Sequence, residues 1–374
     1  MIYRNLVAGL ALGLLAADPL AAQTVARKLE PNPGTQITQV GTRGANFLRI
    51  SPSARGRALG DAVTANPGGA SGLFYNPAVA GLAETFSVEG TWTELFADAG
   101  ISHTFMGAII PTGRGAIGAH AVILDSGEMM ATSDLYPHGS DPALGDVIDW
   151  RSVAVGVSYG RRIIDRLAMG ITGKYVEEGI SFAKAHWLAV DLGLVFETGV
   201  YGVTLAMAIT NLGTEGRFEG PAVAGSVARE HRIYDDKILG SPLRFRHDTE
   251  VLQMPTTFRF GLQTDLLGTP TALMGGAGGS HTLKLMADIN DGFDTGLESR
   301  WGLEYSYRDI LFLRAGKYAM QEDRGPWDVT DGLSGGLGLR LPLLGQSIGF
   351  DFAYTSMGLL DNVKSISFHI GGGN

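Results

Sequence analysis

The amino-acid sequence predicts an all-β protein, a transmembrane antiparallel β-barrel of about 14 strands preceded by an N-terminal plug segment. Three observations support this fold class. Apolar residues alternate with polar or small ones from residue 84 onward, which is the period of half-buried strands. The N-terminus has the pattern of an export signal. Aromatic residues lie near the ends of predicted strands, as in the girdles of membrane barrels: Trp92, Trp150, Tyr175, Trp187, Trp301, Tyr305, Tyr307, Tyr318 and Tyr354.

Residues 1–22 have the order of a secretory signal peptide. Arg4 precedes an apolar run from Leu6 to Ala17, and small residues ending at Ala22 follow it. The run is too short to span a bilayer as a helix, and no later stretch has about 18 uninterrupted apolar residues. We therefore expect cleavage after Ala22 and an exported chain without a transmembrane helix.

Residues 23–83 form the second predicted unit, a segment long enough to fold into the barrel as a plug. It contains Arg55, Arg57 and Asp61 around Gly60. Charge-assisted hydrogen bonds from these side chains to charged lumen residues would lock the plug in place. The alternative is that they line the path of a ligand. The carboxylates that we expect to meet the arginines are Glu89, Asp191 and Asp351.

The sequence Asn76-Pro77-Ala78 near the end of this segment predicts a turn. A residue before proline favours extended backbone, and an asparagine side chain can bond the backbone that follows it.

Residues 84–374 form the third predicted unit, the barrel. One face of its strands is consistently apolar, whereas the other carries small residues and charges of both signs, which favours a lipid-facing wall around a polar lumen. A soluble β-sandwich or barrel with the apolar face inward is the alternative. The predicted strands span 84–94, 101–110, 116–124, 149–162, 167–178, 187–197, 202–212, 256–266, 281–291, 298–307, 310–319, 333–341, 347–356 and 362–371.

The loops alternate in length along the chain. Loops after even strands are mostly short, and the long ones, near 125–148, 213–255 and 320–332, follow odd strands. Short turns face the periplasm and long loops the outside in bacterial barrels, so both termini are expected to be periplasmic. The connection 267–280 is long for a periplasmic turn, which leaves a strand boundary there open.

Glycine is abundant, with 54 residues. Strand glycines weaken a sheet unless a close approach requires them, so we expect those on the inner face to make room for a plug or a bend in the wall. They are Gly118, Gly156, Gly170, Gly193, Gly261, Gly302, Gly336, Gly338 and Gly349.

Composition excludes several functions. With no cysteine, the chain has no disulfide, thiolate metal site or cysteine nucleophile. A formal net charge of −9, without clusters of Lys and Arg, does not fit nucleic-acid binding. The stretch ADINDGFD from Ala287 fails the calcium-loop spacing and predicts an outer turn. His103 and His120 form no evident catalytic set with a serine and are expected to be hydrogen-bonded fillers. We expect no enzymatic activity, cofactor or metal.

The run from Ala228 to Arg246 is expected to be a solvated extracellular loop. Its size and mixed charge make it the first candidate for a partner surface. The candidate residues are Arg229, His231, Arg232, Asp235, Asp236 and Lys237.

Two runs carry a family resemblance: FLRISPSARGRALGDAVTA from Phe47, and ASGLFYNPAVAGL from Ala70. They resemble the N-terminal signature of the PorV/PorQ family of outer-membrane proteins associated with type IX secretion. More distantly, Asn76-Pro77-Ala78 is similar to an element in the hatch of FadL-type long-chain fatty acid channels. The specific part covers about forty residues. One departure is the C-terminus, which lacks the terminal aromatic residue common in barrel assembly signals.

The resemblance implies a FadL-like barrel in the outer membrane that performs no chemistry. Its implied partners are outer-membrane lipid, the type IX translocon and the C-terminal signal domains of secreted cargo, which it would bind or shuttle at its extracellular mouth. The alternative is a FadL-like channel for hydrophobic small molecules such as fatty acids, in which Asn76-Pro77-Ala78 would have a gating role. A third possibility is a purely structural barrel whose loops bind another envelope protein.

Overall fold

The computed structural model describes residues 41–96, 99–132, 136–139, 147–233, 236–274, 280–320, 332–343, 345–358 and 362–372. Of residues 222, 224–233, 236–245 and 320 it describes the backbone alone. The predicted signal peptide lies outside these ranges.

Sixteen β-strands are present in the described residues. They are β1 (Ser87–Leu95), β2 (Ile101–Thr112), β3 (Gly115–Met130), β4 (Val147–Ile164), β5 (Leu167–Ile180), β6 (Ala183–Glu197), β7 (Thr204–Gly213), β8 (Ala224–Ile233), β9 (Asp236–Arg246), β10 (Thr257–Leu267), β11 (His281–Gly292), β12 (Gly296–Tyr307), β13 (Leu311–Met320), β14 (Leu333–Leu343), β15 (Gln346–Ser356) and β16 (Asn362–Gly372).

Fourteen of these strands close into one antiparallel barrel, which confirms the predicted fold class. Each strand pairs with its neighbour in sequence, β7 pairs with β10, and β1 pairs with β16 to close the ring. The strand boundary that the sequence left open near residue 267 is now defined. Strand β10 ends one residue after the predicted position, and β11 begins at the predicted position.

Two expectations about the outer loops were wrong. Strands β3 and β4 extend to Met130 and from Val147, so the long connection between them is shorter than expected. The run from Ala228 to Arg246, expected to be a loop, lies in a separate two-stranded sheet of β8 and β9. Both corrections have one cause: a strand that projects beyond the lipid has no apolar face, so period-two alternation does not reveal it.

The barrel wall is apolar outside and polar inside. Along β4, Val155 and Val157 are exposed, whereas Ala154, Gly156 and Ser158, which alternate with them, are buried. The same alternation places Asp288 and Arg314 inside the barrel and large apolar side chains outside. A band of exposed apolar side chains on a closed barrel is the surface that lipid covers. No helix within the described ranges is long and apolar enough to span a membrane.

Residues 41–83 run through the lumen. After a 3₁₀ turn (Asn46–Arg49) they form three short helices, α1 (Ala54–Ala58), α2 (Gly72–Tyr75) and α3 (Val79–Leu82). Helix α1 begins where the Ser53 hydroxyl accepts a hydrogen bond from the Gly56 amide, and it ends at left-handed Gly60 and Asp61. We call residues 41–83 the lumen segment.

The lumen segment enters at the end of the barrel with the long loops and leaves at the end with the short turns. At the long-loop end, the Ala45 amide donates to Glu178 Oε2 near the end of β5, at 2.6 Å. At the short-turn end, Gly81 packs against the backbone of Arg161, and the chain then enters β1. The last described residue, Gly372, also lies at the short-turn end. Residues 1–40 lie outside the described ranges, so the predicted position of the N-terminus stays a prediction.

Candidate functional site: the occupied lumen

The first feature of the lumen is an ionic network on the wall formed by β12 to β15. Arg55 of the lumen segment makes a bidentate pair with Glu304, with Nε–Oε2 and Nη2–Oε1 distances of 3.0 and 3.1 Å. Glu304 Oε2 also accepts from Arg314 Nε at 2.7 Å, and Arg314 pairs with Asp351. We call these four buried residues the ionic network. It fixes α1 to one side of the barrel by charge-assisted hydrogen bonds.

The partner of Arg55 differs from the three carboxylates expected for it, because each of those already has another donor. Glu89 Oε2 accepts from the Ser71 amide at 2.8 Å. Asp191 pairs with Lys174, and Asp351 pairs with Arg314. Choosing the partner requires the register of β12 against the lumen segment, which no local sequence pattern contains.

The other charged residues of α1 and the following turn have different surroundings. Asp61 Oδ1 accepts from the Tyr75 hydroxyl at 2.7 Å, and Oδ2 lies 3.4 Å from Arg300 Nη1 of β12. Burial, together with neighbouring Asp61, raises the pKa of the Tyr75 phenol well above its usual value, so Tyr75 acts as the donor. Arg57 Nη2 donates to the Ser51 carbonyl at 3.2 Å, and Arg57 has no ion-pair partner among the described residues.

Asn76-Pro77-Ala78 forms the predicted turn and also holds the lumen segment to the wall. Asn76 Oδ1 accepts from the Ala78 amide at 3.0 Å, while Nδ2 donates to the carbonyls of Thr64 and Leu194 at 3.2 and 3.1 Å. All three bonds are buried or partly buried, so Asn76 joins two parts of the lumen segment to β6.

Rows of glycines on neighbouring strands make room for these contacts. Gly160 of β4 pairs with Gly170 of β5, which pairs with Gly193 of β6. A Cβ atom on Gly170 would meet the Pro77 backbone, and one on Gly193 would meet the Asn76 side chain. Gly302 and Gly316 form a second row beneath Leu59 and Gly60. The inward position expected for strand glycines is therefore confirmed at these sites, and at others a barrel side chain fills the space, such as His369 beside Gly349.

The opposite side of the lumen carries a group of apolar side chains. Five inward side chains of β2 to β6 form a buried surface that we call the apolar wall: Phe105, Val122, Leu124, Val176 and Trp187. Buried polar side chains, including His103, His120, Lys174 and Glu178, lie on the same strands. Phe47, Leu48 and Phe74 of the lumen segment belong to the same hydrophobic cluster. The lumen segment thus has ion pairs on one side and apolar packing on the other.

One buried cluster that the sequence analysis missed lies where β6 and β7 form a bulge. Lys174 Nζ lies 2.6 Å from both Asp191 Oδ2 and Asn211 Oδ1. The amide of Asn211, a residue with φ of 61°, donates to Asp191 Oδ1 at 2.7 Å. The only signal in the sequence was the inward position of polar residues on adjacent strands, which identifies candidates but not partners.

The remaining candidates have no binding arrangement in the described residues. Asp288 faces inward and accepts from the Thr64 amide at 2.9 Å, and Asp294, in the β11–β12 turn, pairs with Arg49. His103 and His120 are buried on β2 and β3, but neither ring nitrogen of His103 has a hydrogen-bond partner within the described ranges, contrary to expectation. Those ranges also contain no group of three or more possible metal-ligating side chains.

The candidate partner residues lie on the extra sheet beyond the wall. Its backbone pairs Arg232 with Lys237 and His231 with Ile238, and Asp236 begins β9. Arg229 pairs with Gly240, next to a shift of register. Asp235 lies outside the described residues.

Comparison with known proteins supports the fold. No protein-family model and no curated protein sequence matches the chain. Among solved structures, the Pseudomonas putida toluene transporter TodX is similar with a TM-score of 0.51 and 11% sequence identity, over 85% of this chain and 96% of that one. The Ralstonia pickettii toluene transporter TbuX has a TM-score of 0.49 and 13% identity over 86% and 97% of the two chains. A Pseudomonas aeruginosa FadL homologue has a TM-score of 0.45 and 11% sequence identity, over 86% of this chain and 98% of that one.

The similarity to TodX is one of fold, since the identity is low. The chain has the fold of a FadL-like outer-membrane barrel with fourteen strands around an occupied lumen. The PorV/PorQ resemblance rests on the two sequence runs alone.

Proposed function

We propose that the chain is a non-enzymatic outer-membrane channel for small hydrophobic molecules, closed by its lumen segment. The observation that carries this proposal is the two-sided lumen. Ion pairs hold the lumen segment to β12 and its neighbours, whereas apolar side chains cover an apolar wall on β2 to β6. The similarity in fold to TodX, a toluene transporter, supports the same kind of substrate.

The proposed route runs between the lumen segment and the apolar wall. A hydrophobic molecule gains free energy along that wall and would lose it beside the ionic network. Phe47, Leu48 and Phe74 occupy this side now. The wall itself is closed there, since β2 and β3 pair without interruption from Ser102 with Asp125 to Thr112 with Gly115. Transport therefore requires the lumen segment to move away from the apolar wall.

A disulfide across this route tests the proposal, because the chain has no other cysteine. A Cβ placed on Gly107 of β2 would lie 3.4 Å from Cβ of Ala70, close to the separation of bridged cysteines. We expect the oxidised Ala70→Cys/Gly107→Cys variant to lose uptake of radiolabelled toluene by Gram-negative cells that carry the barrel, and to recover it after reduction.

The two single-cysteine variants are the matched controls and should take up toluene equally in oxidising and reducing conditions. Uptake at the level of cells without the barrel, with the wild-type protein folded in the membrane, would rule out the channel. Uptake that the disulfide leaves unchanged would rule out this route.

A second function, binding or shuttling of type IX cargo, is supported only by the resemblance of residues 47–65 and 70–82. The extra sheet of β8 and β9 at the long-loop end offers a surface for such partners. Affinity purification from gently solubilised outer membranes tests it. Recovery of a large translocon barrel or of proteins that share a C-terminal domain would support the secretion role, and a barrel recovered alone would contradict it.

A further inference from the structure

Two cavities lie side by side at the short-turn end of the lumen. The first, of about 360 Å³, is lined largely by apolar residues of the lumen segment and β2, including Val79, Leu82, Phe86 and Ile109. The second, of about 330 Å³, is lined by polar residues of β11 to β14, including Lys284, Ser306 and Arg340. Asn66, Gly68, Gly69 and Arg340 line both cavities, so the two share one boundary.

Arg340 is the unusual group in this boundary. The ionic network beside it is balanced, with two guanidinium groups and two carboxylates. Arg340 has no carboxylate within 4 Å among the described residues; its guanidinium lies 4.7 Å from the centre of the Phe312 ring, and its buried Nε has no hydrogen-bond partner. Buried charges are ordinarily paired, and a buried polar atom without a partner indicates a bound water or ion.

Lys284 adds a second cation to the same cavity. It has no ion pair within 4 Å in the described ranges, although two carboxylates lie opposite it in the strand pairing. Arg55 and Arg314 occupy Glu304 of β12, and Asp265 of β10 accepts from Gln263 and Thr269. Asp309 is the other acid in the lining, and its carboxylate accepts from the Ser306 hydroxyl. The cavity therefore presents two cations whose charge its own carboxylates do not meet.

We propose that the two cavities form one binding site for a small amphipathic anion. Its anionic group binds Arg340 and Lys284, and its apolar part lies against Val79, Leu82 and Phe86. The Asn66 side chain, which makes no hydrogen bond in the described structure, lies where it can donate to the anion. The site lies at the short-turn end of the lumen. Binding there does not require the lumen segment to move, so the proposal stands apart from the channel function.

The test compares two dyes that differ in charge. The purified barrel in lipid nanodiscs is titrated with 1-anilinonaphthalene-8-sulfonate and with the neutral N-phenyl-1-naphthylamine, and the fluorescence of protein-free nanodiscs is subtracted. We expect Arg340→Gln to weaken sulfonate binding about tenfold or more, because hydrogen bonds to charged groups are strong. Binding of the neutral dye should change less than about twofold, since charge–charge attraction is the interaction removed.

Arg114→Gln is the matched control. It removes one positive charge from an exposed turn at the same end of the barrel, outside both cavities, and should leave both dyes unaffected. Lys284→Gln should also weaken sulfonate binding selectively, and it tests the site if Arg340→Gln does not show the heat-modifiable migration of a folded barrel.

Equal affinities of wild type and both variants for the sulfonate would overturn the proposal and indicate that water satisfies Arg340. Displacement of the dye by low concentrations of sodium sulfate would overturn the inference that the ligand is amphipathic, since an inorganic anion would then bind the site without an apolar part. Selective loss of sulfonate binding with unchanged toluene uptake would support the site and leave the channel function intact. Wild-type dye binding with no toluene uptake would reject only the channel.

Discussion

At the scale of single residues, Glu304 is the side chain on which the lumen segment depends most. It accepts from Arg55 and from Arg314, and both arginines are buried. Removal of one member of a buried ion pair leaves the other charge uncompensated, which costs more than the pair itself contributes. Here Arg55 would lose the one carboxylate that it pairs with in the described residues, and Arg314 would keep only Asp351.

We expect Glu304→Gln to lower the free energy of unfolding by about 3 to 5 kcal/mol, because the buried Arg55 guanidinium loses its counter-ion and Arg314 loses one of two. Urea unfolding in lipid vesicles, followed by tryptophan fluorescence, measures this change. Glu197→Gln is the control: Glu197 lies 4.0 Å from Arg162 on the exposed surface, and we expect a change below about 1 kcal/mol. Equal effects of the two substitutions would show that the ionic network does not hold the lumen segment.

The residue scale is also where sequence reasoning is weakest. The charges of Arg55 and Asp61 are evident in the sequence, and both form buried or partly buried ion pairs with the wall. Their partners, Glu304 and Arg300, are about 240 residues away along the chain and are selected by strand register. His103 is a further case: it was expected to be a hydrogen-bonded filler, and it is buried without a hydrogen-bond partner among the described residues.

At the scale of elements, period-two alternation was a sufficient guide to the fourteen barrel strands. It works because lipid selects apolar side chains on one face along the whole membrane-spanning part of each strand. It failed for the outer ends of β3 and β4 and for the sheet of β8 and β9, where apolar and polar residues do not alternate regularly in the sequence. The glycine rows were half predictable: inward glycines are evident, whereas their alignment across β4, β5 and β6 depends on register.

Two glycines of β5 allow a test of whether the lumen segment requires glycine at its contacts with the barrel wall. A Cβ on Gly170 would meet the Pro77 carbonyl, whereas one on Gly173 would meet nothing within 4 Å. We expect Gly170→Ala to destabilise the protein by about 1 to 3 kcal/mol through overpacking against the lumen segment. Gly173→Ala should be neutral or slightly stabilising, since glycine weakens strands. Thermal unfolding of the two variants measures the difference, and equal melting temperatures would contradict the close approach of Pro77 to β5.

At the scale of the whole molecule, the barrel has two different ends. The long loops lie at one end and the short turns at the other, and we propose that the long-loop end faces the outside. The absence of cysteine permits a direct test with single-cysteine variants.

Glu215→Cys places a thiol in an exposed loop at the long-loop end, and Arg114→Cys places one in an exposed turn at the other end. We expect a maleimide polymer too large for porins to label Glu215→Cys on intact cells, and to label Arg114→Cys only after the outer membrane is permeabilised. The reverse pattern would invert the proposed orientation and place the anion site at the cell surface.

The lumen segment enters the ring at one end and leaves it at the other, and this has a consequence for assembly. Because the lumen segment passes through a closed ring of β-strands, the chain has a threaded topology. The segment is continuous with β1, and β1 closes the ring by pairing with β16 from Ser87 with Gly371 to Glu94 with Lys364. Once that seam has formed, the segment can leave only by drawing its N-terminal end back through the long-loop mouth. The lumen is therefore filled in one of two ways: the barrel closes around its own N-terminal chain before the seam between β1 and β16 forms, or the free N-terminal end threads through the closed ring.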